Sequence, residues 1–146
     1  MSRKIFEKTL TSNDTGRTGS HQVGVHIPKS LVELLEMLPS LDPSQKNPSV
    51  EIDCTDQDGR IWRFKYIYYN NSRHSPTGTR DEFRITRMTG FFRRVNANPG
   101  DTLQIVATRG SLQYNISVIS AAVQRAGESV GSQNERIRLR GWRRVH

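Results

Sequence analysis

Residues 50–70 read VEIDCTDQDGRIWRFKYIYYN, and this stretch decides the fold class. Apolar and polar residues alternate in VEIDCT and again in RIWRFKYIYY, which is the pattern of strands with one buried face. The polar segment DQDG between them has the acidic residues and the glycine of a tight turn. The stretch therefore predicts a β-hairpin whose second strand contributes aromatic side chains to a core.

The flanking sequence predicts more short strands and little helix. Alternating segments with turn-forming residues between them are VGVHI (23–27), EFRITR (82–87), TLQIVAT (102–108) and YNISVIS (114–120). KSLVELLEMLPS (29–40) places its leucines on one face of a short helix, and SAAVQRAGES (120–129) suggests a second helix. This order predicts a mainly β chain that closes, or nearly closes, into a barrel or sandwich.

The length and the tail suggest how the chain is organised. With 146 residues the chain has the size of one ordinary domain. From Gly127 onward the sequence is polar and glycine-rich, and it ends in the arginine-rich run RIRLRGWRRVH (136–146). We therefore expect a folded domain over residues 1–127, followed over 128–146 by a loosely packed basic tail or a linker toward a further domain.

Charge is abundant and segregated. The net charge is +8 and the pI is about 10.2, which favours polyanionic partners such as nucleic acid. Residues 29–58 contain two basic and seven acidic residues, a net of −5, whereas residues 60–94 contain nine basic and two acidic residues, a net of +7. Nearly all these cations are arginine, which binds phosphates and guanine edges through two parallel hydrogen bonds.

Several catalytic and metal-binding patterns are present only as fragments. The DTG at residues 14–16 matches the aspartic-protease tripeptide, but its polar flanks do not give the buried setting in which two carboxylates share a proton. His21 and His26 should point to opposite faces of a strand, and the single Cys54 has no partner thiol. No Asp…Glu-x-Lys nuclease cluster and no phosphate-binding glycine loop occur. We expect no catalytic residue, metal ion or cofactor.

Four blocks in order resemble a known family. LTSNDTGRTGSHQVGVHIP (10–28) is followed by LPSLD, NPSV and YIYYNNSRHSPTGTRDEFRITR (66–87). This succession, with its Asn-Asp-Thr-Gly turn and its final Thr-Arg-x-Glu-x-Arg-Ile-Thr-Arg run, is similar to the N-terminal effector-binding domain of EcoRII-type restriction endonucleases. That domain is a DNA-binding pseudobarrel related to plant B-three transcription factors. The resemblance implies a mainly β, seven-stranded open barrel with one or two short helices.

The resemblance also implies a mode of binding. In the family, a monomer grips the major groove with an N-terminal arm and a later loop, and binding of a second CCWGG-type site relieves autoinhibition of a separate nuclease domain. Positions that match the two arms are Lys8, His21, His26, Arg80, Glu82 and Arg84. Lys65 stands where the family has arginine, and Gly78 and Phe83 stand where it has lysine.

The residues themselves are compatible with such a surface. Alternation in GTRDEFRITR places Arg80, Glu82 and Arg84, and also Thr86, on one face of an extended segment. Arginine donors fit guanine O6 and N7, and a glutamate between them can accept from a cytosine amino group, which suits a CC/GG sequence. The alternative is an intramolecular Arg–Glu pair on a solvated strand. NDTGRTGSHQ (13–22) reads as a flexible arm whose glycines permit close backbone approach.

We therefore predict sequence-specific binding of double-stranded DNA. The candidate DNA-binding residues are Lys8, Arg17, Ser20, His21, Gln22, His26, Lys65, Arg73, His74, Thr79, Arg80, Asp81, Glu82, Phe83, Arg84 and Arg87. The expected setting is the cytoplasm of a prokaryote, with the isolated domain monomeric, natively fused to a nuclease domain and without a membrane partner, since no apolar run reaches spanning length.

Two other functions stay open from the sequence. One is a stand-alone DNA-binding regulator with the same fold. The other is an RNA-binding barrel, in which exposed aromatic residues stack on unpaired bases. The aromatic residues available for that role are Tyr66, Tyr68, Tyr69, Phe91 and Phe92.

Overall fold

A computed structural model describes residues 3–16, 23–123, 136–139 and 141–145. The elements are β1 (Arg3–Thr9), β2 (Gly24–Ile27), α1 (Val32–Met37), β3 (Ser49–Thr55), β4 (Ile61–Tyr69), β5 (Glu82–Thr86), α2 (Thr89–Arg94), β6 (Thr102–Thr108), β7 (Gln113–Ile119), β8 (Arg136–Leu139) and β9 (Trp142–Val145), with a 3-10 turn at Asn71–Arg73. Within these ranges, no helix has the length and apolar character needed to cross a membrane.

The strands form one sheet in the order β2-β5-β4-β3-β7-β6-β1-β9-β8. Neighbours are antiparallel except β3 and β7, which are parallel. The β3–β4 hairpin is confirmed, with Ser49 opposite Ile67 and Thr55 opposite Ile61. Its turn is held by the Asp56 carboxylate, which accepts hydrogen bonds from the Arg60 backbone and the Trp62 indole at 2.9 Å each.

The core lies on the face of the sheet to which the aromatic residues of β4 point. Phe64, Tyr66 and Tyr68 are at most 4 % exposed, as the period of two requires. Helix α2, which the sequence reasoning did not predict, adds Phe91 and Phe92 to the same core. Cys54 is buried there too, and burial raises the pKa of its thiol to about 12, so it is an inert packing residue.

The predicted fold class is confirmed, with a different strand count. The chain is a mainly β, strongly curled sheet, and the described residues form two short α-helices and nine strands instead of the predicted seven. Strand β1 was not predicted, because its charged residues Glu7 and Lys8 read as surface positions and are in fact buried. The predicted helix at 120–129 is seen only as a helical turn at residues 121–123, and its remainder lies outside the described residues.

The predicted loosely packed tail needs a correction at residues 142–145. Strand β9 pairs with β1, with Val145 opposite Ile5 and Trp142 opposite Lys8. The Trp142 side chain is 0 % exposed, so this segment belongs to the folded domain. Burial of one large aromatic ring outweighs the local polarity that suggested a linker. The predicted domain boundary at residue 127 lies outside the part of the chain that the structure describes.

Candidate functional site

Strands β2, β5 and β4 bring several predicted residues to the outer face of the sheet. His26 lies opposite Arg84, and Arg84 lies opposite Ile67 of β4. Because side chains alternate along a strand, Glu82, Arg84 and Thr86 point away from Phe83 and Ile85, which face the core. The predicted shared face is therefore present, although Thr86 itself is only 6 % exposed.

One carboxylate lies at the centre of this face. Glu82 Oε1 accepts from Arg80 at 2.6 Å, and Glu82 Oε2 lies 3.9 Å from Arg84 and 4.0 Å from His26 Nε2. These side chains are partly exposed: 30 % for Arg80 and His26, 28 % for Glu82 and 11 % for Arg84. The four residues, His26, Arg80, Glu82 and Arg84, are called the Glu82 cluster below. The cluster therefore contains three basic side chains and one carboxylate.

Arg80 is held in place by residues that the sequence reasoning missed. Its guanidinium lies over the Tyr69 ring, 3.7 Å from the centroid, in the geometry of a cation–π contact. Its backbone N–H donates to Asn71 Oδ1 at 2.7 Å, and its carbonyl accepts from Ser72 N at 3.1 Å. Both the backbone and the charged end of Arg80 are therefore fixed before any ligand arrives.

The loop between β4 and β5, residues 70–81, is tied down at its start by a buried asparagine. Asn70 is 0 % exposed, and its side-chain amide donates to the carbonyls of Pro43 and Gln45 at 3.2 and 2.8 Å. Its Oδ1 accepts from the Asn47 backbone at 2.7 Å, and Asn47 Oδ1 accepts from the Asn70 backbone at 3.1 Å. This reciprocal pair joins the 42–47 loop to the base of the 70–81 loop. The whole loop, residues 70–81, is called the β4–β5 arm below.

Asp81 anchors the other end of the β4–β5 arm. Its carboxylate accepts from the Tyr68 hydroxyl, lies 2.7 Å from Lys29 Nζ, and lies 3.7 Å from Arg73. Hydrogen bonds from Lys29 and then Tyr68 hold the pKa of Asp81 below its usual value. These partners make Asp81 an anchor of the arm, and its predicted contact with DNA stays a prediction. Lys29 and Tyr68 are further residues that the sequence reasoning missed.

Between these anchors the β4–β5 arm presents exposed residues to solvent. Arg73, His74 and Thr79 are exposed, as expected for candidate ligand contacts, although His74 Nε2 also lies 3.1 Å from the Pro43 carbonyl. At Gly78 a Cβ atom would lie 2.2 Å from the Asn71 carbonyl oxygen, so only glycine fits. The tight packing of this arm explains why no lysine stands at residue 78.

Lys65 and Arg87 lie on the same outer face, farther from the β4–β5 arm. Together with Ser49, Val50 and Glu51 they line a shallow open groove. Arg87 is 59 % exposed and lies 3.8 Å from Glu51, so this ion pair is weak and the Arg87 guanidinium remains accessible. Lys65 is partly exposed. The site thus has two parts, the Glu82 cluster with the β4–β5 arm and this basic groove.

Two predicted contacts are placed elsewhere. Lys8 lies in β1 with a side chain that is 8 % exposed, and its ammonium is bound by the Asp14 carboxylate. Asp14 in turn accepts from Thr11 N at 3.0 Å, so the DTG segment forms a structural turn around a buried ion pair. Phe83 points to the core side and stacks on Tyr68 with ring centroids 4.4 Å apart. Neither side chain lies on the outer face, and both assignments are corrected.

The remaining predicted residues of the N-terminal arm cannot be placed. Arg17, Ser20, His21 and Gln22 lie outside the described residues, so their role stays a prediction. The described part of the chain stops before these residues at Gly16 and resumes after them at Val23.

The aromatic residues that would serve an RNA-binding barrel are mostly buried. Tyr66, Tyr68, Phe91 and Phe92 are between 0 % and 4 % exposed, and Tyr69 lies under the guanidinium of Arg80. Stacking on unpaired bases requires an accessible ring face. This observation disfavours the RNA-binding alternative. Among the described residues, no three His, Cys, Asp or Glu side chains are placed to hold a metal ion.

Comparisons with known proteins agree with this architecture. The B3 domain of the UbaLAI restriction endonuclease with cognate DNA superposes with a TM-score of 0.58 at 24 % identity, covering 99 % of this chain and 88 % of that one. An Arabidopsis FUS3–DNA complex gives a TM-score of 0.59 at 24 % identity, covering 81 % of this chain and 98 % of that one. These likenesses confirm the predicted pseudobarrel fold.

Sequence relatives identify the family. The type II restriction enzyme EcoRII of Escherichia coli is 44 % identical over 91 residues, which are 57 % of this chain and 20 % of that enzyme. The Arabidopsis thaliana transcription factor RAV1, which has AP2/ERF and B3 domains, is 29 % identical over 110 residues, 75 % of this chain and 28 % of that protein. The chain thus spans a fifth to somewhat over a quarter of the length of these relatives. The family model described as restriction endonuclease EcoRII, N-terminal, matches residues 1–123, and the chain therefore belongs to this family.

Proposed function

We propose that this chain binds double-stranded DNA in the major groove and reads its sequence through the Glu82 cluster and the β4–β5 arm. The observation that carries the proposal is the fixed, partly exposed arrangement of Arg80 and Arg84 on either side of Glu82. Arginine pairs bidentately with guanine, and glutamate accepts from the cytosine amino group. Alternating donors and acceptors on one strand suit neighbouring G·C and C·G pairs, as in a CCWGG-type site.

Electrostatics on the rest of the face support binding of a polyanion. The net charge of residues 60–94 is +7, and Lys65 and Arg87 extend the cationic surface beyond the Glu82 cluster. The Nε of Arg84 is buried and has no hydrogen-bond partner among the residues that the structure describes. Buried donors are almost always paired, so this Nε would gain a partner only where ligand binding shifts the Arg84 side chain toward an acceptor.

The biological role that we propose is that of the effector domain of a type IIE restriction endonuclease. The chain corresponds to a fifth of EcoRII, which leaves room in such a protein for a nuclease domain elsewhere. In this proposal the present chain recognises DNA without cleaving it, acts as a monomeric module, and works in the cytoplasm of a prokaryote. The two solved relatives whose names include DNA support the partner class.

A titration with matched nucleic acids tests the proposal. The chain is titrated at one fixed salt concentration into a CCWGG duplex, a scrambled duplex of the same composition, and the corresponding single strands, each prepared as DNA and as RNA. We expect the CCWGG duplex to bind about 10³-fold tighter than the scrambled duplex or more. A preference for another duplex would change the proposed sequence only, whereas equal affinity for single-stranded RNA would contradict the proposed partner class.

A further inference from the structure

A hydrogen bond from a tryptophan side chain connects the two ends of the curled sheet. Strand β2 stands at one end of the strand order, and β9 and β8 stand at the other. Across the gap between these ends, here called the seam, the Trp142 indole N–H donates to the carbonyl oxygen of His26 at 2.8 Å. Trp142 is 0 % exposed, so the donor end of this hydrogen bond is buried.

Strand β9 is held firmly enough to act as a support. It pairs with β1 over residues 142–145. Arg143, next to Trp142, donates to Glu7 Oε1 at 3.0 Å, and Gln104 of β6 donates to Glu7 Oε2 at 3.0 Å. The Arg143 and Glu7 side chains are 6 % and 5 % exposed. The buried Glu7 carboxylate accepts both hydrogen bonds and therefore joins β9 to β1 and β6.

Strand β2, in contrast, has few supports of its own. It is four residues long, and among the described residues it pairs within the sheet only with β5, from Gly24 opposite Thr86 to Ile27 opposite Phe83. Its residue His26 belongs to the Glu82 cluster, with His26 Nε2 4.0 Å from Glu82 Oε2. The backbone of His26 is therefore held by β5 on one side and by Trp142 across the seam.

We propose that Trp142 is a positioning residue for DNA recognition, which acts by fixing the backbone from which the His26 side chain reaches the ligand. The inference rests on the proposed function. It makes the C-terminal strand part of the recognition apparatus, 116 residues away from the residue that it positions.

Replacing Trp142 by Phe is the direct variant, because it keeps an aromatic ring and removes the N–H donor. One neutral hydrogen bond corresponds to about a three- to tenfold change in an equilibrium constant. We expect the affinity for the cognate duplex to fall by about that factor, and the affinity for a scrambled duplex to change less. The matched control is Ile116→Val, which removes one core methylene in β7, four strands from β2 in the sheet order. It should leave both affinities unchanged.

A double-mutant cycle with His26→Ala separates positioning from general stability. If Trp142 acts through His26, Trp142→Phe should have little further effect on cognate affinity once the His26 side chain is gone. Fully additive losses would overturn the inference and leave the proposed function intact. If His26→Ala alone leaves cognate binding unchanged, the proposed role of His26 in the interface fails and the inference fails with it.

A measurement on the unaltered chain covers the case in which Trp142→Phe does not fold. The chain has two tryptophans, and the indole N–H of Trp62 bonds to Asp56 in the β3–β4 turn, away from the seam. Hydrogen exchange of both indole protons is followed by NMR with and without cognate duplex. We expect the duplex to slow hydrogen exchange at the Trp142 indole and not at the Trp62 indole. The reason is that a ligand which binds only while the Trp142–His26 hydrogen bond is intact makes opening of that bond rarer. Unchanged exchange at Trp142 would overturn the inference.

Discussion

Two of the Arg–Glu pairs among the described residues have short N–O distances but differ in how far they are buried. Arg80 lies 2.6 Å from Glu82, with side chains that are 30 % and 28 % exposed. Arg143 lies 3.0 Å from Glu7, with side chains that are 6 % and 5 % exposed. The first pair lies in the Glu82 cluster, and the second fastens β9 to β1. Distance alone does not distinguish them, whereas burial does.

The difference between the two pairs concerns what happens when one partner is lost. An exposed ion pair contributes about 0–1 kcal/mol to folding because water solvates either charge alone. Loss of one member of a buried pair leaves the other charge without solvent or partner, at a cost of about 3–5 kcal/mol. The exposed pair can therefore exchange its partner for a ligand, and the buried pair is confined to a structural role.

The largest expected effect follows from breaking the buried pair. Arg143→Ala should lower the free energy of unfolding by about 3–5 kcal/mol, because Glu7 then stays buried without its cation. Urea unfolding followed by tryptophan fluorescence measures the loss. Arg144→Ala is the control on the same strand, since its pair with Glu33 is partly exposed and should contribute about 1 kcal/mol or less. Equal losses in the two variants would contradict the comparison.

Breaking the exposed pair should affect binding instead of folding. Arg80→Ala should weaken cognate binding by about 1–3 kcal/mol, because a bidentate contact to guanine is lost, and should weaken scrambled binding much less. Its free energy of unfolding should change by about 1 kcal/mol or less. Fluorescence anisotropy on both duplexes, with urea unfolding alongside, makes the test. A uniform loss on both duplexes would show that Arg80 does not read bases.

The basic groove gives a smaller effect of another kind. Lys65→Ala should weaken binding to cognate and scrambled duplexes alike, since a phosphate contact carries no sequence information. The slope of log affinity against log salt should decrease by about one, as one fewer counterion is released. Titrations at four or five salt concentrations give this slope. An unchanged slope would place Lys65 outside the DNA contact surface.

The anchor of the β4–β5 arm should respond to acid. The pKa of Asp81 is lower in the folded chain than its usual 3.8, so its stabilising contribution is present above about pH 4 and is lost as the pH falls through the folded value. Amide NMR signals of residues 71–80 should shift over that acidic range. In Asp81→Asn these signals should already be altered at pH 7 and should lack that transition. A variant arm identical to the wild type at pH 7 would refute the anchoring role.

Much of the fold was predictable because its signals are local. The β3–β4 hairpin follows from alternation in residues 50–69, and no distant residue is needed to recognise it. Strands β1 and β9 were missed because their charges look like surface charges until the partner is known. Arg143 and Glu7 are 136 residues apart, and nothing within either segment indicates that the two side chains meet.

The site shows the same division. Arg80, Glu82 and Arg84 were found because they lie in one short alternating run. Several supports of the site were missed because they join distant segments, as Asn70 with Asn47, 23 residues apart, and Trp142 with His26, 116 residues apart. Lys8 and Phe83 were assigned from family positions, which give no information on whether a side chain points outward or into the core.

The most direct test of the central claim, that the exposed Arg–Glu pair reads DNA, is the specificity ratio of Glu82→Gln. Affinities for the CCWGG and scrambled duplexes are measured at one salt concentration for the wild type and the variant. The change removes a negative charge from the proposed DNA-facing surface and replaces one carboxylate oxygen, a possible acceptor for cytosine, with an amide donor. The account predicts tighter scrambled binding and a ratio of cognate to scrambled affinity about tenfold lower. Tighter binding to both duplexes by the same factor, with the ratio unchanged, would contradict it.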